Sequence, residues 1–338
     1  MVCCITRGGP LEADLAEAGV PVRILHKRGR WDLRALFRIE RTVREFQPDI
    51  VHTWLPTANL LGGLALRLLD RPTAWVISER AADVWKSRPR RWADRLLARR
   101  ADRIMCNARA LRDFLVGRGL PSDRIEVVYN GLDLEEFDRL ASMPPAPLPE
   151  ADGPVIATVA RLEPQKGVGN LISAFRLVAR RFPAARLWIV GDGPQKTSLE
   201  RQAVREGIGE RVLFLGLRND VPALLKRVDL FVLASLWEGL PNAVIEAMAA
   251  GRAVVATCVD GTPEAVSHEE TGILVPPGDI GALAEGIARL LADEGLRARF
   301  GQAGRLRIAR DFDMATMVSR TQQLYEEVIL RRTAGRKR

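Results

Sequence analysis

Two glutamates, Glu238 and Glu246, stand eight residues apart in the stretch LASLWEGLPNAVIEAMAAGRAVVAT (233–257). An apolar run ends near Ser235 and reads as a strand, followed by a loop that carries Glu238 and Gly239. Pro241 then falls where a first helical turn tolerates a missing amide hydrogen. The helix is expected to run to Gly251, a residue suited to capping it, before a further strand at 253–257. Open amides near Asn242, Ala243 and Val244 make this helix start a place for a diphosphate. The spacing puts Glu238 in the loop and Glu246 about a turn into the helix. Both carboxylates can then face one pocket, as acceptors for ligand hydroxyls.

Cations come from an earlier segment. After the apolar run PVIATVA (154–160) follows RLEPQKG (161–167), which sets Arg161 and Lys166 at a strand end just ahead of a helix. Ligands of doubly wound sheets bind at such carboxyl ends. VGDGP (190–194) adds a glycine turn after another strand, where Gly191 and Gly193 let backbone approach a ligand closely. By itself that turn is weak evidence.

The elements that must position these groups alternate in period. In the first half VRIL (22–25), DIVHT (49–53), TAWVIS (73–78), ADRIMCNA (101–108) and IEVVYN (125–130) read as buried strands. Helical patterns at 33–46 and 108–119 lie between them. The second half repeats this with 154–160, 185–191, 211–216, 229–235 and 253–257. Near-continuous apolar strands alternating with helices predict parallel sheets covered on both faces. SMPPAPLPEADG (142–153) holds four prolines and reads as an extended hinge between two domains. A last helical run at 315–332 begins after Asp313, a suitable N-cap. Asp311-Phe312-Asp313 has the spelling of a metal-binding DxD motif, but the capping role explains Asp313 better.

Composition excludes several classes. At 338 residues the chain favours two domains, and 47% apolar with 28% charged residues is ordinary globular material. No apolar run reaches the roughly 18–20 residues that cross a bilayer. Cys3, Cys4, Cys106 and Cys258 show no paired spacing, which fits a reducing cytoplasm, and Cys3, Cys4 and Cys106 read as small core hydrophobes. The net charge of +9 is uneven: +5 in residues 1–150, −1 in 151–330 and +5 in the final RRTAGRKR. That distribution argues against a nucleic-acid groove through the main body.

Taken in order, these segments resemble the retaining glycosyltransferases of the large GT-B family 4. The likeness rests on E-x7-E (Glu238 to Glu246), R-L-x3-K-G (161–167), VGDGP, the FLG turn (214–216) and VVYNGLD (127–133). It spans nearly the whole chain. It implies an α/β GT-B fold, with two Rossmann-like domains facing across a cleft. Residues 1–148 would bind the acceptor and 153–312 the nucleotide-sugar donor. A C-terminal helix at 313–332 would pack back toward the first domain, leaving 333–338 as a basic tail.

The implied reaction moves a hexose from a nucleotide-diphosphate sugar to an envelope, polysaccharide or lipid-linked acceptor. It needs no metal or other cofactor, because cationic side chains and a helix dipole stabilise the leaving diphosphate. Carried over by position, Arg161 and Lys166 hold the diphosphate and Glu246 the ribose. Glu238 and the Leu240–Ala243 amides hold the sugar, with Leu217 to Val221 near the base.

The sequence also departs from the family. Met1 begins at what looks like the family's second strand, so the first domain is expected to lack its usual first strand and glycine-rich loop. Two strand edges would then stay unpaired. A longer native protein, or an impaired nucleotide-sugar-binding chain, is the alternative this opens. The family's pocket histidine has no counterpart in WVISER (75–80), which leaves Glu79 or His52 for the acceptor side; His52 fits an ordinary packing residue equally well.

From Arg80 to Arg112 there are eleven basic and three acidic residues. Within this stretch Arg91, Arg95 and Arg99 share one helical face while Trp92 and Leu96 share another. This suits a peripheral helix on an anionic inner-membrane surface, or a solvated basic face with Trp92 in the core.

Overall fold

The computed structural model describes residues 1–9, 11–29, 32–69, 73–82 and 88–335. Its contacts divide the chain into two units. The first holds Met1–Cys106, Arg112–Val127 and Thr321–Arg338; the second holds Asn107–Leu111 and Val128–Arg320.

In the first unit the strands are β1 (Val2–Cys4), β2 (Val22–Ile24), β3 (Ile50–Trp54), β4 (Ala74–Glu79), β5 (Arg103–Cys106) and β6 (Ile125–Val127). All pair in parallel, but in two separate sheets, β1-β2 and β3-β4-β5-β6. Among the described residues β1 pairs only with β2 and β3 only with β4. Val2, Cys3, Val51 and Thr53 line a cavity of about 500 Å³ between these two free edges. Cys3 is therefore exposed and Cys4 only half-buried, which corrects the expectation that both fill the core; Cys106 does fill it. β4 is buried along its whole length. Its Ala74 and Val76 pack against Leu324 and Val328 of the C-terminal helix Met314–Gly335.

The second unit has β7 (Val155–Val159), β8 (Arg186–Val190), β9 (Val212–Gly216), β10 (Leu230–Leu233), β11 (Ala253–Thr257) and β12 (Gly272–Val275). They form one parallel sheet in the order β12-β11-β10-β7-β8-β9. Alternate strand residues serve opposite faces. Ile156, Val232 and Val255 meet one layer of helices, while Ala157, Leu233 and Val254 meet the other. Burial on both faces explains the continuous apolar runs.

The proline-rich stretch 142–153 does not bridge the units, which divide at 127/128. It lies as a strap on the second unit. Leu148 and Ala151 pack on its core, the Ala146 amide donates to Asp220 at 2.8 Å, and Arg218 donates to the Ala146 carbonyl at 2.9 Å. The last helix runs three residues into the expected basic tail, and 336–338 lie outside the described residues. Asp313 caps that helix through the Thr316 amide at 2.9 Å, while Asp311 pairs with Arg310 at 2.7 Å. Both carboxylates of the DxD spelling are thus engaged in local structure.

Gly191, at the end of β8, sits at φ 129°, and a Cβ there would meet the Ala160 carbonyl oxygen at 1.9 Å. Gly191→Ala should therefore destabilise the second unit by more than about 2 kcal/mol, read as a lower urea midpoint.

Candidate functional site

The site is built where β7 and β10 lie side by side, so that the loops leaving their carboxyl ends are neighbours. From β7 the chain passes Arg161 into a short turn at Pro164–Lys166, and then into the helix Val168–Arg181. Gly167 makes this turn possible. It takes φ 58°, and a Cβ would strike the Ala234 carbonyl oxygen at 2.1 Å. The backbone is pinned further by the Leu236 amide on the Gln165 carbonyl (2.8 Å) and by Gln165 Nε2 on the Trp237 carbonyl (2.9 Å).

This contact brings Lys166 and Glu238 together. Lys166 Nζ lies 2.5 Å from Glu238 Oε1, and their side chains are only 16% and 6% exposed. Ser235 Oγ donates to the same carboxylate oxygen at 2.6 Å, and the Glu238 amide donates to Asp260 Oδ2 at 2.7 Å. Glu238 is thus a buried group, tethered within its loop. A carboxylate this buried needs its cation. Burial raises the Asp260 carboxyl above its ordinary range, with the nearby Glu238 charge adding to the effect. Arg161 is placed differently: its guanidinium is 66% exposed and pairs with Glu163 at 2.9 Å.

The helix after the loop is Asn242–Ala249, with Pro241 as its N-cap residue. The Asn242 and Ala243 amides have no partner among the described residues. Val244, expected to be open as well, donates to the Pro241 carbonyl at 3.1 Å. Leu240 and Pro241 are buried, and Asn242 Oδ1 accepts from Asn130 at 2.5 Å. Glu246 is half-buried on this helix, and burial pushes its carboxyl up to about 7. Gly193, like Gly191, is required by close packing, since a Cβ would lie 2.6 Å from the Leu162 carbonyl oxygen. Leu217 is 80% exposed beyond β9, and Val221 opens the helix Val221–Leu225.

The residues assigned to the acceptor side lie within the first unit. His52 is held through both ring nitrogens, at 2.6 Å from Tyr325 Oη and 2.8 Å from Ser78 Oγ. Burial lowers its pKa to about 4, so the ring is neutral near pH 7. That geometry favours the packing reading. Glu79 is buried at the end of β4 and accepts from Asn59 at 3.1 Å. On the helix Arg88–Ala98, Trp92 is 66% exposed and does not enter the core. Arg95 Nε donates to the Arg118 carbonyl, Arg99 follows the helix, and the Arg91 side chain lies outside the described residues.

With this geometry in place, comparison with known proteins is direct. Residues 1–136 match the model described as glycosyltransferase family 4, and residues 143–307 that of glycosyl transferases group 1. A GDP-mannose-dependent alpha-(1-6)-phosphatidylinositol monomannoside mannosyltransferase of Mycolicibacterium smegmatis is 33% identical over 79% of this chain and 74% of its own length. The chain belongs to glycosyltransferase family 4.

A UDP-Gal:alpha-D-GlcNAc-diphosphoundecaprenol alpha-1,3-galactosyltransferase of Escherichia coli is 27% identical over 88% of this family 4 chain and 80% of that protein. In fold it resembles Anabaena HepE crystallised with UDP-glucose. The TM-score is 0.82 at 24% identity, over 95% of this chain and 90% of that one. The fold class is GT-B. Sequence reasoning about this glycosyltransferase missed Ser235, Gln165 and Asp260, all of which support Glu238. Gln165 is legible only from the adjacency of β7 and β10, and Asp260 only from that of β10 and β11.

The raised Glu246 carboxyl carries a stability prediction. Below the unfolded value of about 4.5 the group is protonated in both states and contributes nothing. As pH rises toward 7 the unfolded chain ionises first, so folding loses free energy. Glu246→Gln should therefore leave stability unchanged near pH 4. It should add about 1–2 kcal/mol near pH 8, read from urea midpoints.

Proposed function

We propose that this family 4 glycosyltransferase is a retaining enzyme that transfers a hexose from a nucleotide-diphosphate sugar to a lipid-linked or polysaccharide acceptor. The observation that carries this reading is the Lys166–Glu238 pair beside the open Asn242 and Ala243 amides. In this reading Lys166 and the helix start receive the diphosphate, and Arg161 swings from Glu163 to join them. Glu246 accepts from the ribose, while Glu238 and the Leu240–Ala243 backbone hold the sugar. The base rests between Leu217 and Val221, and Gly191 and Gly193 keep the floor free of side chains.

Charge builds up on the diphosphate as the glycosidic bond breaks, and fixed cations with a helix dipole meet it in place. The acceptor hydroxyl then attacks from the face that the diphosphate leaves, and a departing phosphate oxygen takes its proton. We assign no metal or other cofactor to this step. The lipid-bearing acceptors named for the galactosyltransferase and mannosyltransferase relatives support the acceptor class.

Lys166→Ala tests the donor assignment. Loss of a charge-assisted contact to phosphate costs about 1.5–3 kcal/mol, so UDP or GDP affinity should fall at least tenfold by calorimetry. The same change strips Glu238 of its cation, so a fall in melting temperature should accompany it. Unchanged affinity for both nucleotides removes Lys166 from the diphosphate.

The second component is a cytoplasmic, membrane-peripheral location. Among the described residues no helix is long and apolar enough to cross a membrane. The exposed Trp92 and Leu96, in a stretch rich in arginine, suit the interface of an anionic bilayer. Arg95 is already committed to Arg118, so Arg91 and Arg99 carry the attraction in this reading. Flotation should recover the protein with vesicles containing phosphatidylglycerol and not with pure phosphatidylcholine. Trp92→Ala with Arg91→Glu and Arg99→Glu should lower that recovery about tenfold. Equal recovery with both vesicle types returns the helix to a solvated face.

A further inference from the structure

Helix Arg109–Gly117 begins after Ala108, whose methyl side chain cannot accept a hydrogen bond as an N-cap side chain normally does. The acceptor comes from 155 residues further along the chain. Glu264 takes the Arg109 amide at 2.8 Å and the Ala110 amide at 2.9 Å, and it also accepts the Tyr129 hydroxyl at 2.7 Å. One carboxylate thus gathers three donors from two separate segments of the second unit. Burial raises the Tyr129 phenol to about 12, with the Glu264 hydrogen bond as the next cause, so it remains a donor at neutral pH.

Glu264 lies on the short helix Thr262–Ala265, directly after Asp260 and Gly261. Those two residues hold the donor loop. Asp260 accepts the Glu238 amide at 2.7 Å, and the Gly261 amide donates to the Gly239 carbonyl at 3.0 Å. Packing around Gly261 is tight on both sides: a Cβ would lie 2.3 Å from the Gly239 oxygen and 2.7 Å from the Ala108 methyl. Asp260 adopts φ 41°, a strained conformation for a residue other than glycine, held by contacts on either side. Arg307 clamps the outside of the turn, donating to the Glu264 carbonyl at 2.8 Å and to Ser267 Oγ at 2.9 Å.

Turn 260–264 is therefore a rigid piece with two attachments, one to loop 238–239 and one to segment 108–110. We infer that Glu264 is a positioning residue for sugar transfer: by capping helix Arg109–Gly117 from this turn, it fixes the Glu238 loop against that helix start. It acts through Asp260 and Gly261. The inference rests on the preceding reading, in which Glu238 serves the sugar.

Amide exchange tests the coupling without any substrate. Glu264→Gln keeps the size of the side chain but replaces one acceptor oxygen by a donor. Exchange should rise at least fivefold at Arg109 and Ala110 and, in the same variant, at Glu238 and Gly261, whose amides hold the two contacts to the loop. Tyr129→Phe removes only one of the three donors and should show the same paired rise at smaller size, which covers the case where Glu264→Gln fails to fold. In turnover, followed as nucleoside diphosphate release from UDP-glucose, UDP-galactose and GDP-mannose, Glu264→Gln should lower kcat about tenfold with donor KM within threefold.

A rise confined to 109–110, with the Glu238 and Gly261 amides unchanged, overturns the inference, and so does an unchanged kcat. A large rise in KM with kcat intact also overturns it, since that would mark a donor contact. Failure of the donor-site reading would show separately, as unchanged UDP and GDP affinity in Lys166→Ala.

Discussion

Lys166 and Glu238 are each too buried to carry an isolated charge, and at 2.5 Å they neutralise one another. Much of the local architecture exists to make that pair possible. Gly167 must lack a side chain for the turn to pass under Ala234, and Ser235 must supply a second donor to the carboxylate. The strand ends must be neighbours, which the order β10-β7 ensures. In the proposed reading, a ligand phosphate arriving at this place meets a cation already oriented, with its partner fixed and most of its reorganisation done in folding. Electrostatic preorganisation of this sort is usually the largest single contribution to catalysis of group transfer.

Much of this was legible in the sequence. The apolar runs located ten of the twelve strands among the described residues, because buried parallel strands leave near-continuous hydrophobic segments. E-x7-E and R-L-x3-K-G marked the two loops, because their glycines and prolines punctuate the chain. What could not be read was pairing across distance. Lys166 and Glu238 are 72 positions apart, and nothing local in either segment says that they touch. The same holds for Glu264 and the start of helix Arg109–Gly117. The proline-rich stretch misled for a different reason. Prolines announce extended backbone without amide donors, and that describes a strap laid on a surface as well as a hinge.

The arginine excess also looks different once partners are known. Arg332 forks onto Asp102 at 2.9 Å, Arg289 onto Glu269 at 2.5 and 2.7 Å, and Arg218 spans Asp220 and the carbonyls of the strap. Guanidinium groups donate in a planar fork, so they can close loops onto carbonyls and carboxylates together. Exposed pairs of this kind each add little stability. Their value lies in fixing where irregular segments lie, and this leaves fewer cations free for partners than the net charge suggests.

The first unit needs Leu324 and Val328 against the buried strand Ala74–Glu79, and these residues are among the last in the chain. The second unit needs only Asn107–Leu111 and Val128–Arg320, all made before them. On a ribosome the usual order is therefore reversed, and the later segment can close first. At about 5–20 residues per second, the stretch from 128 to the end takes roughly 10–40 s to emerge. Through that interval the strand Ala74–Glu79, buried along its whole length in the finished fold, waits without Leu324 and Val328. Completion of the first unit therefore depends on segments made after the second, so the order of synthesis and the order of closure need not agree.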